Sequence, residues 1–77
     1  MQSDFREYHK MVGLKVAYYR KLKGYTQEQL AERMGVETSF IGQIEAVRVH
    51  KAISLDTLFR ISRALDVPPH KFLDFLE

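Results

Sequence analysis

The chain has 77 residues, of which 45% are hydrophobic and 29% charged, with a formal charge of +2 and no cysteine. Such a length holds one folded core and not two, and the composition is too apolar for a disordered chain. No apolar run approaches the roughly 18 residues of a membrane span, and without cysteine there are no disulfides, thiolate metal sites or cysteine nucleophiles. The opening MQSDFREYHK lacks an apolar signal-peptide core, and the absence of cysteine suits a reducing cytoplasm.

The first helix is read from Phe5, Tyr8, Val12, Val16 and Tyr19, which fall within roughly 40° of one line at 100° per residue. Gly24 ends it, with Lys21 and Lys23 beside the negative end of its dipole. A second apolar stripe, Met11, Leu14, Tyr18 and Leu22, runs about 100° from the first. It is expected either to make a symmetric dimer contact or to lie beneath the N-terminal residues.

Thr26 opens the second helix, and Gln29 three residues later completes a capping box. Leu30, Ala31 and Met34 form its inner face, and Gly35 supplies a left-handed turn. The third helix, about 38–45, is anchored by Ile41 and Ile44. Its other face, Thr38, Ser39, Gly42 and Gln43, is small, polar and uncharged, a poor choice for either solubility or helix propensity. After the loop AVRVHKAI, Ser54 caps a fourth helix that turns Leu58, Ile61 and Leu65 inward, with Asp56 in its first turn. Pro69 fits the first turn of a fifth helix, His70 to Leu76. Phe72, Leu73, Phe75 and Leu76 give this tail more apolar residues than one face needs, so it offers a second candidate for a dimer surface.

The expectation is therefore an all-α, compact five-helix bundle in one domain, 1–77, with a helix-turn-helix at 26–45. Within that motif Ala31 must be small where two helices cross, Gly35 must turn sharply, and Ile41 and Ile44 must hold the third helix down. Only then does the Thr38–Gln43 face stand clear to enter a groove.

Charge is unevenly spread: +4 over residues 1–25, −3 over 26–47 and +1 over 48–77. Any anion-binding surface must be assembled from separated segments. His9, His50 and His70 lack metal-ligand spacing. No nucleophile elbow or phosphate-binding glycine loop is present, so neither catalysis nor a cofactor is expected.

The segments RKLKGY, TQEQLAERMGVETSFIGQIE and ISLDTLFRISRALDVPPHKF together resemble the Xre/Cro family of phage-repressor-like DNA-binding domains over about residues 12–73, leaving 1–11 as an N-terminal extension. The resemblance implies a lambda-repressor-like five-helix domain that binds operator DNA, commonly as a homodimer on a palindromic site. It implies a bacterial or phage-like transcriptional repressor. Carried across by position, it gives Gln27 a phosphate contact from the start of the second helix. Thr38, Ser39 and Gln43 take base-facing positions, Arg48 and Lys51 contact the backbone, and Arg20 pairs internally with Glu45.

The chemistry of these side chains differs. Gln43 can make two hydrogen bonds to adenine in the major groove. Thr38 and Ser39 reach bases or phosphates only if the helix lies deep, and otherwise serve as capping and solvated residues. Phe40 meets a thymine methyl or sugar, or else packs against the protein. Arg48 and Lys51 supply affinity with little sequence information.

Three positions depart from the family pattern. Glu37 replaces the usual Ser or Thr at the helix cap; it would repel a phosphate but can accept from a cytosine amino group. Ala46 and Val47 stand where a polar residue and glycine are usual. Gly42 costs about 1 kcal/mol relative to alanine, which close approach of DNA would explain. The rival reading is a protein-binding module, an antitoxin or adaptor, to which the acidic 26–47 segment and Phe40 would be suited.

Overall fold

The chain folds as α1 (Arg6–Leu22), α2 (Gln27–Met34), α3 (Thr38–Glu45), α4 (Leu55–Leu65) and a short 3-10 turn, Pro69–Leu73. The structure is a computed structural model and describes residues 5–49 and 51–75, among which there is no strand. His50 and Leu76, both singled out in the sequence, lie outside the described residues.

Three helices end in the same six-residue motif. At α1 the Tyr25 N–H donates to the Arg20 carbonyl and the Gly24 N–H to Lys21, with Gly24 at φ +83°. At α2 the Val36 N–H reaches the Ala31 carbonyl and the Gly35 N–H that of Glu32. At α4 the Val67 N–H reaches Ser62 and the Asp66 N–H reaches Arg63. Each ending satisfies orphan carbonyls and turns the next residue, Tyr25, Val36 or Val67, back onto the core. Glycine makes the left-handed turn at the first two ends; at the third Asp66 takes φ +56°, a conformation its short polar side chain tolerates. The helix starts are as distinct. Thr26 and Gln29 form the reciprocal capping box, and the Ser54 hydroxyl accepts from the Thr57 N–H at 3.1 Å.

The core joins Val12 and Val16 of α1 to Leu30, Ala31 and Met34 of α2 and to Ile41 and Ile44 of α3. Leu58, Ile61 and Leu65 of α4 complete it, together with Val67 and Phe72. Two expectations are corrected here. Phe5 and Tyr8 belong to the predicted inner stripe by spacing, yet both are more than half exposed. The first turns of α1 run past the edge of the helices it packs on, and Tyr8 instead stacks between Phe5 and Phe75, at 6.1 and 6.0 Å. Among the described residues there are also four α-helices rather than five. After Pro68, five residues make a single 3-10 turn, with Lys71 N–H bonded to the Pro68 carbonyl. That turn is enough to bury Phe72 completely, edge-on to Tyr19 at 5.4 Å.

Gly13 is the tightest point of the fold. It sits inside α1 where α3 crosses, and a Cβ there would fall on the carbonyl oxygen of Ile44. The two backbones approach too closely for any side chain. Gly42 on α3 differs, because a Cβ there would meet only the Gln27 side-chain oxygen at an ordinary 3.7 Å. Gly13→Ala is therefore expected to cost about 1–3 kcal/mol by overpacking. Gly42→Ala should stabilise by up to about 1 kcal/mol through helix propensity. Urea unfolding of the two variants checks both signs.

Candidate nucleic-acid interface

The candidate interface begins with the turn between α2 and α3. Gly35 at φ +71° reverses the chain within three residues, so α3 starts at Thr38 and lies across α2. Ile41 and Ile44 are buried on one side of α3. Thr38, Gly42, Ser39 and Gln43 fill an arc of about 140° on the other. Thr38, Ser39 and Gln43 are exposed and Gly42 is half-buried, and no charged residue lies in that arc.

A buried ion pair holds α3 at this angle. The Arg20 Nε donates to Glu45 Oε2 at 2.7 Å and its Nη2 to Oε1 at 2.9 Å, a two-pronged contact of side chains that are 9% and 6% exposed. A third Arg20 nitrogen donates to the Tyr25 carbonyl at 2.7 Å, in the α1–α2 loop. Gln27, the first residue of α2, donates its Nε2 to Glu45 Oε1 at 3.0 Å. One carboxylate at the end of α3 thus gathers α1, the loop and the start of α2. The hydrogen bond to Glu45 raises the pKa of Arg20 against the opposing effect of burial, so the guanidinium stays charged.

The remaining predicted residues separate into groups. Glu37 occupies the N-cap position of α3, exposed and without a side-chain cap hydrogen bond. Phe40 is half-buried, and the Lys51 ammonium stands 5.4 Å from its ring centre, which fixes that cation beside α3. Arg48 is exposed in the turn closed by the Val49 N–H to Ala46 carbonyl bond, and makes no hydrogen bond or ion pair with a described residue. Helix α3 ends without a glycine because Ala46 simply takes an extended conformation, φ −74° and ψ 115°.

The family resemblance implies a phosphate contact for Gln27, and the structure adds its bond to Glu45, which no local pattern carries. Gly13 carries a fainter signal, a glycine between Val12 and Val16 on the inner side of a long helix.

Two short helices joined by a glycine turn, with a polar arc on the second, define a helix-turn-helix domain. The helix-turn-helix (HTH_3) family model matches residues 16–72, and the chain belongs to that family. It is 39% identical over 64 residues to the HTH-type transcriptional regulator SinR of Bacillus subtilis, covering 83% of this chain and 57% of SinR. The chain thus spans little more than half the length of that relative. It is 32% identical over 69 residues to the control protein C.SmaI of Serratia marcescens, covering 90% and 80% of the two chains. The crystal structure of the restriction-modification controller protein C.AhdI from Aeromonas hydrophila superimposes with a TM-score of 0.81 at 28% identity, over 91% of this chain and 99% of that one. SinR in its complex with SinI superimposes with a TM-score of 0.74 at 38% identity, over 83% and 61%.

Removing one member of a buried, hydrogen-bonded ion pair leaves the other charge uncompensated, at a cost of about 3–5 kcal/mol. Arg20→Ala and Glu45→Ala are each expected to fall in that range. Because both remove the same network, the double variant should be no worse than the poorer single one, and a double-mutant cycle in urea checks this.

Proposed function

We propose that this chain is a sequence-specific double-stranded DNA-binding transcriptional regulator, a repressor that reads the major groove with α3. The observation that carries the proposal is the uncharged arc Thr38, Ser39, Gly42 and Gln43, held clear of the body by the Arg20–Glu45 pair. Gln43 is exposed and its amide is left for adenine. Gly42 keeps the centre of the arc flat, which favours close approach of a base-pair edge. Glu37 discriminates at the helix start by accepting from a cytosine amino group and repelling a misplaced phosphate. Lys51 beside Phe40, with Arg48 in the adjoining turn, supplies backbone contacts. Gln27 gives one amide N–H to Glu45 and keeps the second for a phosphate, so it positions α3 and contacts DNA at once.

The regulator acts as a homodimer on a palindromic operator in the bacterial cytoplasm. Support for the dimer comes from the second α1 stripe, where Leu14, Tyr18 and Leu22 are 45%, 57% and 64% exposed. Leu14 and Tyr18, with Met11, Lys15 and Phe75, line a mainly apolar groove of about 280 Å³. Selection of bound sequences from random duplexes tests the reading: a palindromic consensus is expected, and no enrichment would overturn it.

The rival reading, an antitoxin or adaptor that binds protein, draws on the same apolar stripe and on SinR having been solved in complex with another protein. The acidic 26–47 segment argues less for it than its charge implies, because Glu45 is already spent on Arg20. A steep fall of DNA affinity with salt favours the DNA reading.

Gln43→Ala is expected to narrow the gap between operator and random DNA by about 1–3 kcal/mol. Lys51→Ala should weaken both alike and reduce the salt slope by about one. Fluorescence anisotropy at several salt concentrations separates the two patterns. Leu14→Lys is expected to abolish dimerisation in sedimentation velocity while leaving the thermal transition in place.

A further inference from the structure

The C-terminal halves of α2 and α4 enclose an open groove of about 500 Å³ lined by Arg33, Met34, Arg60, Arg63 and Ala64. Three guanidiniums converge there, and among the described residues none is paired with a carboxylate. Two of them are held by backbone. Arg33 Nε donates to the Ala64 carbonyl at 3.0 Å, with its guanidinium 5.0 Å from the Tyr25 ring centre. Arg60 Nη2 donates to the Met34 carbonyl at 2.6 Å. Each anchor uses one donor of a planar group that carries five, so the rest remain for a ligand in a fixed orientation. The Arg63 side chain makes no hydrogen bond with a described residue.

Nothing in the DNA reading uses this groove. Arg33 and Gln27 stand near opposite ends of α2, and Arg33 is tied to α4 whereas Gln27 is tied to α3. The negative ends of α2 and α4, through the Met34 and Ala64 carbonyls, offset part of the repulsion among these three charges, and a bound anion would offset the rest. Phe59 lies one turn before Arg63 on the same side of α4 and is 49% exposed, so an apolar group borders the cations. Cations beside an exposed ring suit carboxylates carried with an apolar side chain, whereas a phosphate backbone offers nothing to the ring.

We propose that the α2–α4 groove is a docking site for an acidic segment of a protein partner, whose carboxylates engage Arg33, Arg60 and Arg63 while an adjoining apolar residue covers Phe59. The site is separate from the α3 face, so partner and DNA bind together.

The test titrates the isotopically labelled chain with the peptide Glu-Glu-Phe-Glu-Glu and follows backbone amides by NMR, with Lys-Lys-Phe-Lys-Lys as control. Shifts are expected at Arg33, Arg60, Arg63 and Ala64 with the acidic peptide only, and they should persist on DNA-bound protein. Arg63→Glu breaks no internal bond and should weaken the peptide about tenfold, the effect of one charge-assisted hydrogen bond. Its affinity for random duplex and its salt slope should stay as in the parent. Absent shifts, shifts gathered at Arg48 and Lys51, or unchanged peptide affinity in Arg63→Glu would overturn the proposal. A lower salt slope for DNA in that variant would instead assign the groove to phosphate, and would overturn it equally. If duplex selection finds no DNA ligand, the peptide result still stands or falls by itself.

Discussion

A single buried carboxylate sets the geometry of this domain. Glu45 accepts from Arg20 twice and from Gln27 once, and Arg20 goes on to bind the Tyr25 carbonyl. The end of α1, the following loop, the start of α2 and the end of α3 are thereby fixed to one another. Apolar packing of Ile41 and Ile44 would hold α3 down, but it permits rotation and sliding far more readily than a forked contact at 2.7 and 2.9 Å. A buried pair of this kind adds little net stability compared with well-packed hydrophobic residues. What it adds here is a defined angle for α3.

The same demand explains the close crossing at Gly13. With α1 pressed onto the backbone of α3, the Ile44 carbonyl occupies the space of a missing side chain. Helix endings finish the arrangement, because each left-handed residue returns an apolar neighbour to the core within one step. A domain with so few core residues has its helices oriented by termini and by one polar knot, with little left to chance in the loops. The α3 face can then remain uncharged, since solubility is supplied elsewhere on the surface.

The surface divides into regions of different chemistry. The α3 arc is polar and neutral, flanked by the Lys51 cation over Phe40. The outer side of α1 is apolar, and the α2–α4 groove is cationic and bordered by Phe59. These faces lie on different parts of the fold, so the proposed contacts with duplex, a second copy and an acidic segment draw on separate surfaces.

Local pattern was enough to read much of this from the sequence. The end of α1, the limits of α2 and α3, the Thr26–Gln29 capping box, the Ser54 cap and the Gly24 and Gly35 turns depend on residues within a few positions of one another, and these lie where expected. The inward residues of α2, α3 and α4 follow from the 3.6-residue period for the same reason. Family likeness placed Arg20 opposite Glu45, a pairing 25 residues apart that no periodicity carries.

Other features required the assembled fold. Period alone made Phe5 and Tyr8 equal to Val12 and Val16; only the reach of the neighbouring helices left the first two outside. The last segment took a 3-10 turn and not an α-helix, as one turn after the prolines already delivers Phe72 to the core. The contacts of Gly13 with Ile44, Gln27 with Glu45, Lys51 with Phe40 and Arg33 with Ala64 join residues 11 to 31 positions apart. Sequence therefore determined where α2 and α3 begin and end, where α4 begins and which apolar sides α2, α3 and α4 turn inward, because those are short-range properties of the backbone. Tertiary structure decided which charges are spent internally and which face outward, because that depends on where separate helices meet.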